Sequence, residues 1–169
     1  MITNREAFFN DPSEQTLPNL GVAKVRKPED DDDWATLAWE LKSFVCEGEY
    51  ELGLERILSQ YLQHLSQPAQ PAAWVSGFYG SGKSHLVRVL EYLWVNPTLP
   101  DGESARSMAS LPSEITAHLK ELTTAGNREG GLWSATGTLG AGAVGSVRLA
   151  FLNVVFAAAG FPQQLGPAR

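Results

Sequence analysis

Cysteine is almost absent: Cys46 stands alone among 169 residues. A single thiol excludes an intrachain disulfide and a cysteine-based metal cluster, which fits a reducing compartment and points to the cytoplasm. Beside Phe44 and Val45 it reads as a packing residue rather than a nucleophile. Long apolar runs are lacking too. The longest, 147–161, is interrupted by Arg148 and Asn153 and is too short to span a bilayer. The first residues, Met1-Ile-Thr-Asn-Arg-Glu6, contain no apolar core of signal-peptide length. No dense basic stripe occurs, so no direct nucleic-acid site is expected. His64, His85 and His118 are not at metal-ligand spacings, and Ser76 and Ser81 have no paired His and acid. Finally, no Asp or Glu follows Glu129.

What is present describes a globular chain. Hydrophobic residues make up 43% and charged residues 19%, a balance that supports a packed core rather than disorder. The net charge of −6 is uneven: residues 1–70 carry 13 acids against 6 bases, and residues 71–169 carry 6 against 7. The second part therefore does not repel a polyanion.

The spacing G-x-x-x-x-G-K-[ST] occurs once, as Gly77-Phe78-Tyr79-Gly80-Ser81-Gly82-Lys83-Ser84. Each residue type answers a demand of a bound triphosphate. Glycines let the backbone curl so that successive amides, those of Phe78, Tyr79 and Ser81 included, point at phosphate oxygens. Lys83 brings a compact positive charge to the β- and γ-phosphates, and the Ser84 hydroxyl is suited to ligate magnesium. The flanks agree with a phosphate loop. Ala72–Ser76 is a short apolar run that predicts a buried parallel strand. His85–Trp94 has Leu86, Val89, Leu90 and Leu93 at helical spacing, and Asn96-Pro97 ends that helix. A helix N-terminus adds unpaired amides and the positive end of a dipole. His85 follows Ser84 directly and is grouped with the nucleotide-binding residues.

The remaining pattern divides the chain into three parts. Residues 1–33 form an arm bearing Phe8-Phe9, a short strand near 20–25 and an acidic linker, Glu29–Asp33, read as solvated rather than metal-binding, with Asp32 or Asp33 capping the next helix. Residues 34–70 form a helical segment packing on the phosphate-loop domain. Its first helix, Trp34–Cys46, buries Trp34, Leu37, Ala38, Leu41 and Val45. Its second, Glu49–Leu65, carries Leu54, Ile57, Leu58, Tyr61, Leu62 and Leu65 at three-four spacing and is expected to pack on the sheet of the phosphate-loop domain. Residues 71–169 form the start of a P-loop domain, with a helix at Ser113–Ala125 ended by Gly126, a strand at Gly131–Thr138 and a last helix at Ser146–Ala159.

Gly140-Ala-Gly142-Ala-Val-Gly145 matches the dinucleotide fingerprint G-x-G-x-x-G. The fingerprint needs an acid about 20 residues on for the ribose hydroxyls, and none follows. It reads instead as a glycine turn, or as amides facing the same phosphates. The same absence affects catalysis. A P-loop ATPase places an acid, the Walker B residue, at the end of an apolar strand. Asp101, Glu103, Glu114, Glu121 and Glu129 all lie in polar or helical surroundings, so the catalytic residues are unknown. The expected fold is α/β, an incomplete three-layer P-loop domain with a mostly parallel sheet after an N-terminal helical segment. The chain reads as the N-terminal part of a longer ATPase, or as a short protein that binds nucleotide without hydrolysing it.

Several stretches together resemble the P-loop ATPases of BREX phage-defence systems, the BrxC family. They are Leu17-Pro-Asn-Leu-Gly-Val-Ala-Lys-Val25, Phe44–Tyr50 with Gly53–Leu58, Trp74–Leu86, and Gly137–Ala143 with Gly145–Ala150. The resemblance implies an AAA+/STAND-like ATPase with ATP and Mg as cofactors, acting with other BREX proteins against phage DNA. It implies Gly77, Gly80, Gly82, Lys83 and Ser84 as nucleotide contacts. Two further readings stay open. One is a non-hydrolysing assembly module, with self-association through apolar surface left by missing strands. The other is a P-loop kinase, whose lid arginines would come from Arg106, Arg128 and Arg148.

Overall fold

The computed structural model describes residues 27–139 and 146–161. Its elements are helices: α1 Asp31–Lys42, α2 Glu49–Gln63, α3 Lys83–Val95, the single turn α4 Ala105–Met108, α5 Ser113–Arg128 and α6 Val147–Ala158. Among the described residues there is no sheet, and an isolated antiparallel bridge, Thr98 to Ser104, is the one β-type pairing. The three-layer α/β sandwich is therefore corrected to a helical packing. Residues 71–78 and 131–139 run without ladder partners. The expected strand near 20–25, the arm 1–16 and the glycines at 140–145 lie outside the described residues.

The physical reason is that the helices bury their stripes on one another. Leu54 and Leu58 of α2 face Ile115, Leu119 and Leu122 of α5, so α2 packs on a helix rather than on a sheet. Helix α3 touches α1, α4 and α5 and contributes Leu86, Val89, Tyr92 and Leu93 to the same core. Tyr61 of α2 meets Trp94 of α3 edge-on at 4.5 Å between ring centres, an arrangement that suits the aromatic quadrupoles.

Local chemistry sets the helix ends. The cap of α1 is Asp30, two or three residues earlier than expected. Its carboxylate accepts from the Asp33 amide at 2.8 Å, while Asp33 accepts from the Glu29 amide at 3.2 Å. The first bond is an ordinary N-cap and the second ties the preceding residue to the same turn, while three acids in the first turn favour the positive helix end. The acidic run is thus a helix start rather than a linker. Helix α1 stops at Lys42, and the chain beyond it alternates: Phe44 and Cys46 are buried and Val45 is exposed, opposite to the helical expectation. Burial, and then Glu51, push the Cys46 thiol up from its ordinary value, consistent with a packing role. Helix α5 continues through Gly126, whose missing side chain admits Leu132; a Cβ there would lie 2.5 Å from Leu132 Cδ2.

Helix α3 is held along its length by polar contacts. The Arg88 Nε lies 2.6 Å from Glu40 Oε2, a buried ion pair between α3 and α1, and its guanidinium stands 5.8 Å over the Tyr92 ring. At its C-terminus Asn96 takes the left-handed conformation (φ 52°) and its amide donates to the Tyr92 carbonyl at 2.9 Å. Arg106 of α4 finishes the job. It donates to the carbonyls of Leu93, Trp94 and Leu119 at 2.6, 3.0 and 2.8 Å and to Thr123 Oγ1 at 2.6 Å. Its backbone amide donates to Asn96 Oδ1 at 2.9 Å. A guanidinium fork satisfies several orphan carbonyls at once, as an ammonium does not.

Two outcomes follow. Arg106→Ala should lower unfolding free energy in urea by about 2–4 kcal/mol, because carbonyls on two helices lose their donor, and Arg106→Lys should recover less than half. A loss below about 1 kcal/mol would show that water replaces the side chain. Separately, the Tyr92 hydroxyl is buried without a hydrogen-bond partner among the described residues. Burial, then Glu91, push its pKa up to about 12; Arg88 opposes this, while Glu40 and Asp33 add to it. The unfolded phenol ionises near 10, so the native state holds the extra proton between these values. Stability should hold below pH 10 and fall as pH rises toward 12. Tyr92→Phe should leave stability at pH 7 unchanged or higher and flatten that fall, as read by urea unfolding at each pH.

Candidate functional site

The sequence-expected phosphate loop precedes α3. Gly82 caps the helix in the left-handed conformation (φ 78°), and its carbonyl accepts from the Leu86 amide at 2.8 Å. The amides of Lys83, Ser84 and His85 therefore begin the helix with no intrahelical acceptor. Gly80 is also left-handed (φ 80°), so two of the motif glycines sit where a side chain would add strain. Gly77 needs its lack of a side chain for a different reason: a Cβ there would approach Ser81 Oγ to 2.8 Å. The Ser81 amide closes the turn on the Phe78 carbonyl at 3.2 Å.

Lys83 curls back over this turn. Its Nζ donates to the Phe78 carbonyl at 2.5 Å and to Ser81 Oγ at 3.4 Å. The ammonium is thus held inside the loop, beside the free amides. Ser84, half-buried in the first turn of α3, follows it directly. Tyr50 on α2 fastens the loop from outside, its hydroxyl donating to the Ser81 carbonyl. That hydroxyl also crowds the space where Gly82 would carry a Cβ. Sequence reasoning assigned no role to Tyr50; only the packing of α2 brings it 31 residues along the chain to the loop.

The other expected residues separate. Phe78 and Tyr79 project outward, more than 90% exposed, and contribute backbone to the loop. The His85 ring turns away toward α1, with Nε2 3.2 Å from the Glu40 carbonyl and an edge-on contact to Phe44 at 5.8 Å. Of the acids weighed for catalysis, Asp101 accepts from the Glu103 amide at 3.1 Å in a turn. Glu114 lies at the start of α5, where its backbone hydrogen bond, then the Ser113 hydroxyl, hold its carboxyl below the usual value. Neither ends an apolar strand. Arg106, one of the arginines a kinase lid would need, is committed to capping α3. Among the described residues no group of three or more His, Cys, Asp or Glu is placed to hold a metal ion, and no helix is long and apolar enough to cross a membrane.

One carboxylate escaped the sequence reading. Glu91 is 8% exposed on α3 and accepts from Thr136 Oγ1 at 2.9 Å and Ser134 Oγ at 3.2 Å. It holds 131–136 against the helix where a strand was expected. Its only signal was its position opposite the apolar stripe of α3, which ordinarily faces water.

No protein-family model matches this chain, and no solved structure matches it.

Tyr50→Phe should speed amide exchange across 78–82 while lowering global stability by no more than about 1 kcal/mol, the worth of one exposed neutral hydrogen bond. Unchanged exchange would show that the loop keeps its shape without α2.

Proposed function

We propose that residues Gly77–Ser84 bind the phosphates of a nucleoside triphosphate, ATP with Mg, and that the chain serves as the nucleotide-binding part of a BREX-type phage-defence ATPase. The observation that carries the phosphate reading is the Lys83 ammonium held within a glycine turn at the start of α3, beside unpaired helix amides. Those donors form an anion cradle. The residues fit the group they would hold: amides from Gly77 to Ser84 for the phosphate oxygens, Lys83 for charge and the Ser84 hydroxyl for the metal. Gly77, Gly80 and Gly82 leave the backbone open to close approach. The BREX role and its protein partners rest on the sequence resemblance of residues 17–25, 44–58, 74–86 and 137–150.

Binding, rather than hydrolysis, is the activity proposed for these 169 residues. An attacking water requires an acid or an equivalent polar group to orient it, and of the acids after the loop Asp101 serves a turn, Glu114 a helix start and Glu91 the clamp on 131–136. The proposal does not depend on a parallel sheet: the cradle is local to six loop residues and one helix end.

Calorimetric titration with Mg-ATP should show one site in the wild-type chain, and Lys83→Ala should weaken it by at least about tenfold, as expected for removal of a charge-assisted contact. Ligand at about 100 times its dissociation constant should raise wild-type stability by roughly 2.7 kcal/mol. Equal affinity in both proteins would refute the assignment.

A further inference from the structure

Away from the phosphate loop, a groove of about 510 Å³ opens between α2, α3, α5 and the segment 131–136. Its volume is that of a small-molecule site. Its walls are largely aromatic and aliphatic: Tyr61, Trp94 and Trp133 supply rings, and Leu65 and Leu90 supply alkyl surface. Trp133 stands 54% exposed at the opening, available to a ligand face. The charges of the lining are of one sign. Glu91 and Glu129 are present, and no lysine, arginine or histidine is among the lining residues.

Glu91 is the second, independent observation. It is more than nine-tenths buried, yet both hydroxyls that reach it, Ser134 and Thr136, donate to the same oxygen, Oε1. Among the described residues no protein donor is directed at Oε2. Oε2 is not among the enclosed polar atoms left without a partner, so it stays accessible at the groove that Glu91 lines, and a cation entering there meets an oxygen that no protein donor occupies. Aromatic rings strengthen the same preference, because their faces attract cations, more so when the site is partly dry.

We infer that this groove is a binding site for an organic cation, an ammonium or guanidinium group attached to an apolar body, with Glu91 as counter-ion and Trp133 as the stacking ring. The apolar body fills the space between Leu65, Leu90 and Trp94, and the charged head lies toward Glu91. Glu129 at the α5 terminus adds to the negative potential of the rim. An anion of the same shape meets two carboxylates and is rejected. This site shares α3 with the phosphate loop but none of its ligand-facing groups, so it stands or falls apart from nucleotide binding.

The test uses the full chain and benzyltrimethylammonium, with 3-phenylpropionate as the anionic probe of similar body. Tryptophan indole N–H signals, assigned by substitution of Trp94 and Trp133 in turn, report occupancy. The cation should give saturable shifts at Trp133 and Trp94 and the anion none. Glu91→Gln keeps acceptors for Ser134 and Thr136 and removes the charge; it should weaken the cation by about tenfold. Trp133→Ala at the exposed rim should weaken it by at least about threefold with an unchanged circular dichroism spectrum. Absence of saturation, equal binding of the two probes, or an unchanged affinity in Glu91→Gln would overturn the inference. Should Glu91→Gln fail to fold, Trp133→Ala decides: unchanged affinity there overturns it as well.

Discussion

Enclosure of α3 on both of its faces is the constraint on which the rest of this protein depends. Six of its thirteen residues are buried, and two of them, Arg88 and Glu91, are charged. The apolar stripe joins the core with α2 and α5, as any amphipathic helix would. The opposite face is closed by polar contacts: Arg88 with Glu40 of α1, and Glu91 with the hydroxyls of 131–136. Arg106 holds the far end. A buried ion pair is weak evidence for net stability, since desolvation opposes the Coulomb gain. Its contribution here is positional: α1 and α3 satisfy these charges in one register, and any slip strands a buried charge. The glycine loop 77–82 inherits this precision because its last residue, Gly82, is the cap of the same helix.

Much of the helical skeleton was legible in the sequence. Three-and-four spacing marks α2 and α5, Asn96-Pro97 ends α3 and Ser146 caps α6, accepting from the Leu149 amide at 3.3 Å. Boundaries moved where a longer-range partner intervened. Gly126 looked like a helix stop, but Leu132 folds back into the gap it leaves, and the Gly131 amide returns to the Gly126 carbonyl at 2.8 Å. Val45 looked inward on a helix that had already ended at Lys42; in extended chain the period is two, so its neighbours Phe44 and Cys46 turn inward instead.

The strands failed for one reason. An apolar run of five residues is the same signal whether it pairs in a sheet or lies along a helix, and pairing is a property of neighbours, not of the run. Ala72–Ser76 is exposed throughout, and Trp74 is 92% accessible. Residues 131–136 are tied down by the Ser134 and Thr136 hydroxyls on Glu91, contacts of side chains 43 and 45 residues apart. No local pattern encodes that separation. The same holds for Tyr50 at the loop and Arg106 at the end of α3. Each is an ordinary surface residue by sequence, made structural by where a second helix lies.

The loop itself was the most legible part because its chemistry is local. Glycines at 80 and 82 take left-handed conformations that the spacing alone suggests, and the helix begins at the motif lysine. What the spacing does not encode is the internal engagement of Lys83. Its ammonium already has an acceptor in the Phe78 carbonyl, so a phosphate must compete with that contact rather than meet a free charge. A charge-assisted bond to a carbonyl is weaker than one to a polyanionic phosphate, because only the latter adds a net Coulomb attraction. In the proposed complex the exchange would favour the phosphate, by a margin smaller than the full lysine–phosphate interaction. Tyr50 acts in the same balance from the other side of the loop. Its hydroxyl occupies the Ser81 carbonyl, so that acceptor would be engaged elsewhere when an anion approaches the amides of the turn.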